Sequence, residues 1–199
     1  MNSKQFKNLK GWVDYDRPYI ATLTYKQKVI WFRRRLNLTL IKPIRYVYRG
    51  VSRSSQQSSL LIFATTICCA IEAMGKFYNG GSGTNHDQFR EFLNDFMAAD
   101  YMSRSIDNMK YEVILWKYFR IGLAHGFTIC HGGFEHQPSY FSVRSNGGKK
   151  TLIIDPKEFL NDFLHGIKHY LSVLLSASAG DKVAKNFEKV FKHVFIDGN

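Results

Sequence analysis

The fold turns on one stretch, Leu60-Leu-Ile-Phe-Ala-Thr-Thr-Ile-Cys-Cys-Ala-Ile-Glu72-Ala-Met-Gly-Lys-Phe-Tyr78. It is apolar on nearly every face as far as Ile71 and breaks at Glu72. Crossing a bilayer takes roughly 20 apolar residues, and Leu60–Ile71 falls short of that. The stretch therefore reads as a helix buried on most of its surface. Asn79-Gly80-Gly81-Ser82-Gly83 ends it, since glycine adopts the backbone conformations that terminate helices. The Lys-Ser/Thr pair of a phosphate-binding loop does not follow, so these glycines carry no nucleotide role.

Working downstream, Asn85 or His86 opens a helix with Phe89, Phe92, Leu93 and Phe96 at helical spacing. Ser105 is placed to cap the next, with Asp107 in its first turn. Met109, Val113, Trp116 and Phe119 mark that helix as far as His125-Gly126. The chain then takes on strand composition over residues 127–136, 140–144 and 151–154, with Asn146-Gly147-Gly148 as a hairpin turn. Asp155-Pro156 opens a helix with Phe159, Leu160, Phe163, Ile167 and Leu171 inward. Ala179-Gly180-Asp181 breaks it before a last amphipathic helix carrying Val183, Phe187, Val190, Phe191 and Val194.

Upstream, residues 1–22 read as irregular. Thr24 is placed to cap a helix through Arg35 or further with Val29, Ile30, Phe32 and Leu36 inward, Pro43 interrupts the next segment, and Gly50 closes it. The expected fold is mainly α: one domain over residues 1–199, a bundle of about five or six helices with a small β-hairpin insertion. Residues 1–54 form a basic N-terminal extension, 55–176 the bundle core with its insertion at 127–154, and 177–199 the C-terminal helix.

Composition narrows the function classes. Hydrophobic residues make up 45% and aromatics 15%, enough for a packed core and against a disordered chain. No apolar segment follows Met1-Asn-Ser-Lys4, so no signal peptide is expected. Three cysteines, Cys68, Cys69 and Cys130, fit no disulfide framework and point to a reducing, cytoplasmic setting. The Cys68-Cys69 pair reads as core packing. The net charge of +12 is unevenly spread: residues 1–60 hold 13 Lys/Arg against Asp14 and Asp16, while the rest holds 15 against 14 acidic residues. Arg33, Arg34, Arg35, Lys42, Arg45, Arg49 and Arg53 suit a polyanion such as RNA, because cations that neutralise phosphates release counterions. A solvated basic face and an anionic membrane surface are the alternatives. Trp31, Tyr46 and Tyr48 lie among these cations as candidates for base stacking or for core.

The helix before the β segment ends in Trp116-Lys-Tyr-Phe-Arg120-Ile-Gly-Leu-Ala-His125-Gly-Phe127. By composition alone roughly 0.4 such Arg-x4-His pairs arise by chance, so the surroundings must carry the signal. A histidine in a last helical turn feels the negative end of the helix dipole, which favours its protonated form. An arginine offers a planar, permanently charged fork for phosphate. A proton-exchanging imidazole plus a fixed cation suffices for RNA transesterification. On a straight helix the two side chains would point about 140° apart, and Gly122 and Gly126 loosen the helix there.

This segment resembles the HEPN superfamily, whose ribonuclease members carry an R-x4–6-H motif at the end of a bundle helix. The preceding apolar helix with Glu72, the β excursion after the histidine and the Ile154-Asp155-Pro156 helix start are similar to that pattern over residues 55–176. The resemblance implies a metal-independent endoribonuclease with catalytic Arg120 and His125, supported by Glu72 and His131. It also implies a homodimer with a composite cleft, no cofactor, and a toxin or phage-defence effector held by an antitoxin or regulatory partner. The alternative is a catalytically inactive HEPN-like module that binds RNA or protein, favoured by the apolar Ile121 directly after Arg120. In a purely structural reading Arg120 pairs with Glu72 or Glu112. Metal is not expected: Glu158, Asp162, His165 and His169 read as the wet stripe of an amphipathic helix, and Cys130, His131 and His136 lack a second cysteine pair.

Overall fold

In the computed structural model, which describes residues 17–51, 57–122 and 132–198, the deciding stretch is a long helix in the middle of the molecule. In chain order the helices before it are α1 (Arg17–Ala21), α2 (Tyr25–Leu36) and α3 (Lys42–Val51). The deciding stretch itself is α4 (Gln57–Asn79), followed by α5 (Asn85–Phe96) and the single turn α6 (Asp100–Ser103). Phe63, Ala64, Ile67, Cys68, Ile71 and Met74 recur at three- and four-residue spacing along α4 and are all buried. Cys69, one residue on, is exposed, so only Cys68 serves the core as expected. Burial pushes the Cys68 thiol far above its ordinary pKa.

Thr84 caps α5 as half of a capping box: its Oγ1 accepts from Asp87 N at 3.2 Å, and Asp87 Oδ2 accepts from Thr84 N at 2.9 Å. Helices α4 and α5 meet at Gly75, where an added Cβ would lie 1.8 Å from the Gln88 carbonyl oxygen. Only glycine permits that approach.

Residues 105–110 depart from expectation. Ser105 does not cap a helix. Strands β1 (Ser105–Ile106) and β2 (Met109–Lys110) pair antiparallel through Asp107 and Asn108, whose φ values of 49° and 64° make a tight left-handed turn. Asp and Asn tolerate that region better than other side chains, so the turn prevails over the cap. Helix α7 (Tyr111–Ile114) then follows with Lys110 as its N-cap and runs on through a π-helical segment, Leu115–Ile121.

Each of the three stretches of strand composition contains a strand, and the expected hairpin forms between the second and third. In β3 (Gly132–Phe134), β4 (Phe141–Asn146) and β5 (Lys149–Ile154), β4 and β5 pair antiparallel around Gly147 and Gly148, while β3 lies parallel on the other side of β5. Asp155 then caps α8 (Pro156–Ser176), accepting from Lys157 N and Glu158 N at 2.9 Å each. The chain closes with α9 (Lys182–Lys192) and a π turn, His193–Asp197.

The fold is mainly helical, as expected. Helix α4 touches α3, α5, α8, α9 and the π segment after α7. Within the basic first third, residues 17–51 are no appendage to this bundle: Val29, Trp31, Phe32, Leu36 and Ile44 are buried in the same core, and Trp31 packs edge-on against Phe191 and Phe195. Trp31 takes the inward place expected of Ile30, which is exposed. Residues 17–21, expected irregular, form α1. Pro43 does not break the helix, which is described as far as Val51, one residue past Gly50. A π turn, Asn37–Ile41, joins α2 to α3, with Lys42 N bonded to Asn37 O. That wider register absorbs a proline whose ring would clash with the carbonyl four residues back and whose N–H is missing. Among the described residues no helix is long and apolar enough to cross a membrane.

Candidate active site and nucleic-acid interface

Arg120 sits on the π-helical segment, where Gly122 N bonds to Lys117 O, five residues back. Its helix packs against α4, and there Arg120 Nε donates to Glu72 Oε2 at 2.7 Å. The side chains keep 21% and 16% of their exposure, so the pair is largely, but not wholly, out of water. Of the two carboxylates proposed for Arg120, the structure chooses Glu72. The guanidinium also lies 5.9 Å from the centre of the Trp116 ring. Cation and indole attract through the ring quadrupole.

The other carboxylate, Glu112, is buried and has a different partner. His86 Nε2 lies 2.7 Å from Glu112 Oε1, and the imidazole stacks on Trp116 at 5.1 Å with 23° between the planes. Arg120 and His86 thus both lie within 6 Å of one indole, each held by its own carboxylate. Sequence reasoning named Trp116 and Glu112 only as packing or as a spare partner, and it missed His86. The one available signal was a histidine in the first turn of a capped helix, which says nothing about a tryptophan 30 residues on.

His125 and His131 lie outside the described residues, as do Cys130 and Arg53. The 140° angle expected between Arg120 and His125 assumed a straight α-helix, and that assumption fails within Leu115–Ile121. Ile121 is 38% exposed beside Arg120.

The expected phosphate-binding residues separate into two kinds. Arg33, Arg34, Lys42, Arg45 and Arg49 are exposed on α2 and α3. Arg35 is half-buried, its guanidinium 5.5 Å from the Trp31 ring and 5.4 Å from Phe195, so it braces α2 against the C-terminal turn. Of the three aromatics, Trp31 is buried, Tyr48 packs on Phe63, and Tyr46 is 79% exposed. A cavity of about 540 Å³ opens between α2 and α4, lined by Phe32, Leu36, Ala70, Met74 and Phe77. Its walls are mostly apolar, Arg35, Thr39, Thr65 and Thr66 also line it, and Arg120 is not among them.

The expected wet stripe on α8 is only partly wet. Asp162 turns inward, where Oδ2 accepts from Tyr140 Oη at 2.9 Å and from Ala98 N at 3.2 Å, and Tyr140 Oη in turn contacts the buried Tyr101 hydroxyl. Burial raises the Asp162 carboxyl above the usual range and pushes both tyrosines far up. His169 packs against Phe96 and His165 is exposed. Among the described residues no three His, Cys, Asp or Glu side chains come together as a metal site. No family model matches the chain, and neither a curated protein nor a solved structure matches it.

Proposed function

We propose that this protein is a HEPN-type, metal-independent endoribonuclease that takes up RNA on the basic face of α2 and α3 and cleaves it at Arg120 and His125. The observation that carries the reading is the Glu72–Arg120 pair. A guanidinium used to stabilise a phosphate must be fixed in orientation yet keep an edge open, and Arg120 is held through Nε while retaining exposure. In the reaction His125 takes the proton of a ribose 2′-OH. The 2′-oxygen bonds to the adjacent phosphorus, and the 5′-oxygen leaves with a proton from an imidazolium. The products are a 2′,3′-cyclic phosphate and a 5′-hydroxyl, with Arg120 compensating the charge on the pentavalent phosphate. The protein acts as a cytoplasmic homodimer, in the role of a toxin or phage-defence effector restrained by a partner protein.

The test is cleavage of RNA in EDTA by wild type, Arg120→Ala and His125→Ala, with end-group analysis. Wild type alone should generate cyclic-phosphate ends. Equal cleavage by all three proteins, or by none, overturns the nuclease reading. The same ion pair favours a second reading, because Glu72 already neutralises Arg120 and Ile121 beside it offers phosphate nothing. In that reading the chain is a silent RNA-binding module, with salt-sensitive binding and no cyclic ends.

A further inference from the structure

Tyr46 is the most exposed large hydrophobic side chain among the described residues, and it belongs to no part of the packed core. Its setting on α3 is ordered by helical geometry. At 100° per residue, Arg45, Arg49, Lys42 and Tyr46 fall within an arc of about 100°, with Ile44 on the opposite side. Ile44 is buried and all four members of the arc are exposed. One turn beyond Tyr46 the arc continues in Gly50, where an added Cβ would meet nothing within 4 Å. The α3 surface thus presents a bare phenol ring, open space beside it and cations on its flanks. Residues 17–51 contain nine Lys/Arg and no Asp or Glu, so no acidic group of that segment offsets them.

We propose that Tyr46, in the stripe with Lys42 and Arg49 and beside Gly50, is a stacking platform for an unpaired base of single-stranded RNA. The inference rests on the RNA-binding reading above and specifies which RNA that surface takes. Flanking cations hold the backbone of any nucleic acid, but a ring face is of use only to a base outside a duplex. The same cations would attract an anionic membrane, but such a surface offers no base to the ring.

Binding is measured in the His125→Ala background, so that RNA is not consumed, with an oligouridylate of about 12 nucleotides and a duplex of equal length. Tyr46→Ala should weaken single-strand binding about fivefold or more, leaving duplex binding within about twofold and the salt slope unchanged. Tyr46→Phe should match the parent. Gly50→Leu places an aliphatic side chain one turn from the ring, where such pairs pack. It should raise the thermal midpoint while weakening single-strand binding, a divergence that a purely structural role does not produce. If the parent binds RNA and Tyr46→Ala binds the single strand as tightly, or loses both RNAs equally, the stacking site is overturned and the RNA reading stands. If the parent binds neither RNA at low salt, the RNA reading falls and the stacking site with it. Binding to phosphatidylserine vesicles in their place identifies a membrane as the partner.

Discussion

Replacing Glu72 with Gln keeps the side-chain shape and removes the charge that Arg120 Nε contacts at 2.7 Å. The size of the effect depends on burial. Exposed ion pairs contribute about 0–1 kcal/mol, whereas breaking a fully buried pair costs about 3–5 kcal/mol. Exposures of 21% and 16% place this pair between the two, and we expect Glu72→Gln to cost about 1–3 kcal/mol. For a urea m-value of about 2 kcal/mol/M, that is a midpoint shift of roughly 0.5–1.5 M. Arg120→Met and the double variant complete a cycle that separates the pairwise term from other effects of each change. Unfolding followed by tryptophan fluorescence reports all four proteins, and Trp116 lies beside the pair. A coupling energy below about 0.3 kcal/mol, within the noise of additivity, would refute the idea that the pair holds Arg120 in place. On the proposed nuclease reading cleavage should respond as well, because displacing a catalytic cation by about 1 Å costs on the order of a hundredfold in rate. Glu72→Gln with full cleavage but lost stability would leave Glu72 a purely structural role.

Two further predictions concern the frame that holds the site. Gly75→Ala puts a methyl 1.8 Å from a backbone oxygen of α5, which no rotamer change relieves, and should lower stability by about 1–3 kcal/mol or more; a thermal midpoint equal to that of wild type would contradict the close approach of α4 and α5. The second is a pH effect at Asp162, whose carboxyl burial raises above its unfolded pKa of about 3.9. The folded state therefore holds that proton more tightly than the unfolded chain. The stabilisation is complete below the unfolded pKa and is lost as pH rises through the folded value. Both donors bond to Oδ2, so the single carbonyl oxygen of Asn can replace it. Asp162→Asn should gain stability relative to wild type as pH rises from about 4 to about 7. Urea midpoints across that range that differ by a constant amount would rule it out.

Much of the frame was legible because local chemistry and burial agree along it. In α4, α5, α8 and α9 the apolar period points to one state, helped by the glycines after α4 and the Asp155-Pro156 start of α8, and the observed boundaries fall within a few residues of those expected. Residues 105–110 show where local signals compete: Ser105 suits a cap and Asp107-Asn108 suits a tight turn, and strand pairing settles the matter for the turn. Pro43 shows the limit from the other side. A proline forbids the ordinary hydrogen-bond register, but a helix packed on both flanks can change register and continue.

The candidate site was legible only in part. Arg120 was singled out by its spacing to His125, and Glu72 was one of two named partners. That Arg120 takes Glu72, while Glu112 is buried against His86, depends on how far the π segment rotates each side chain about the helix axis. The Tyr101–Tyr140–Asp162 network joins α6, the approach to β4 and α8, and no window of sequence contains all three.

What the sequence by itself determined is the long helices, the hairpin and the sign of the surface. Apolar periodicity must be buried, caps satisfy backbone groups locally, and a chain segment with nine cations and no acids stays basic however it folds. Tertiary structure alone decided the partners: Arg120 with Glu72, His86 with Glu112 beside Trp116, Arg35 held against Trp31 and Phe195, and Tyr46 left in water. Partner choice depends on distances of a few ångströms between residues far apart in the chain, and those distances exist only once the helices have packed.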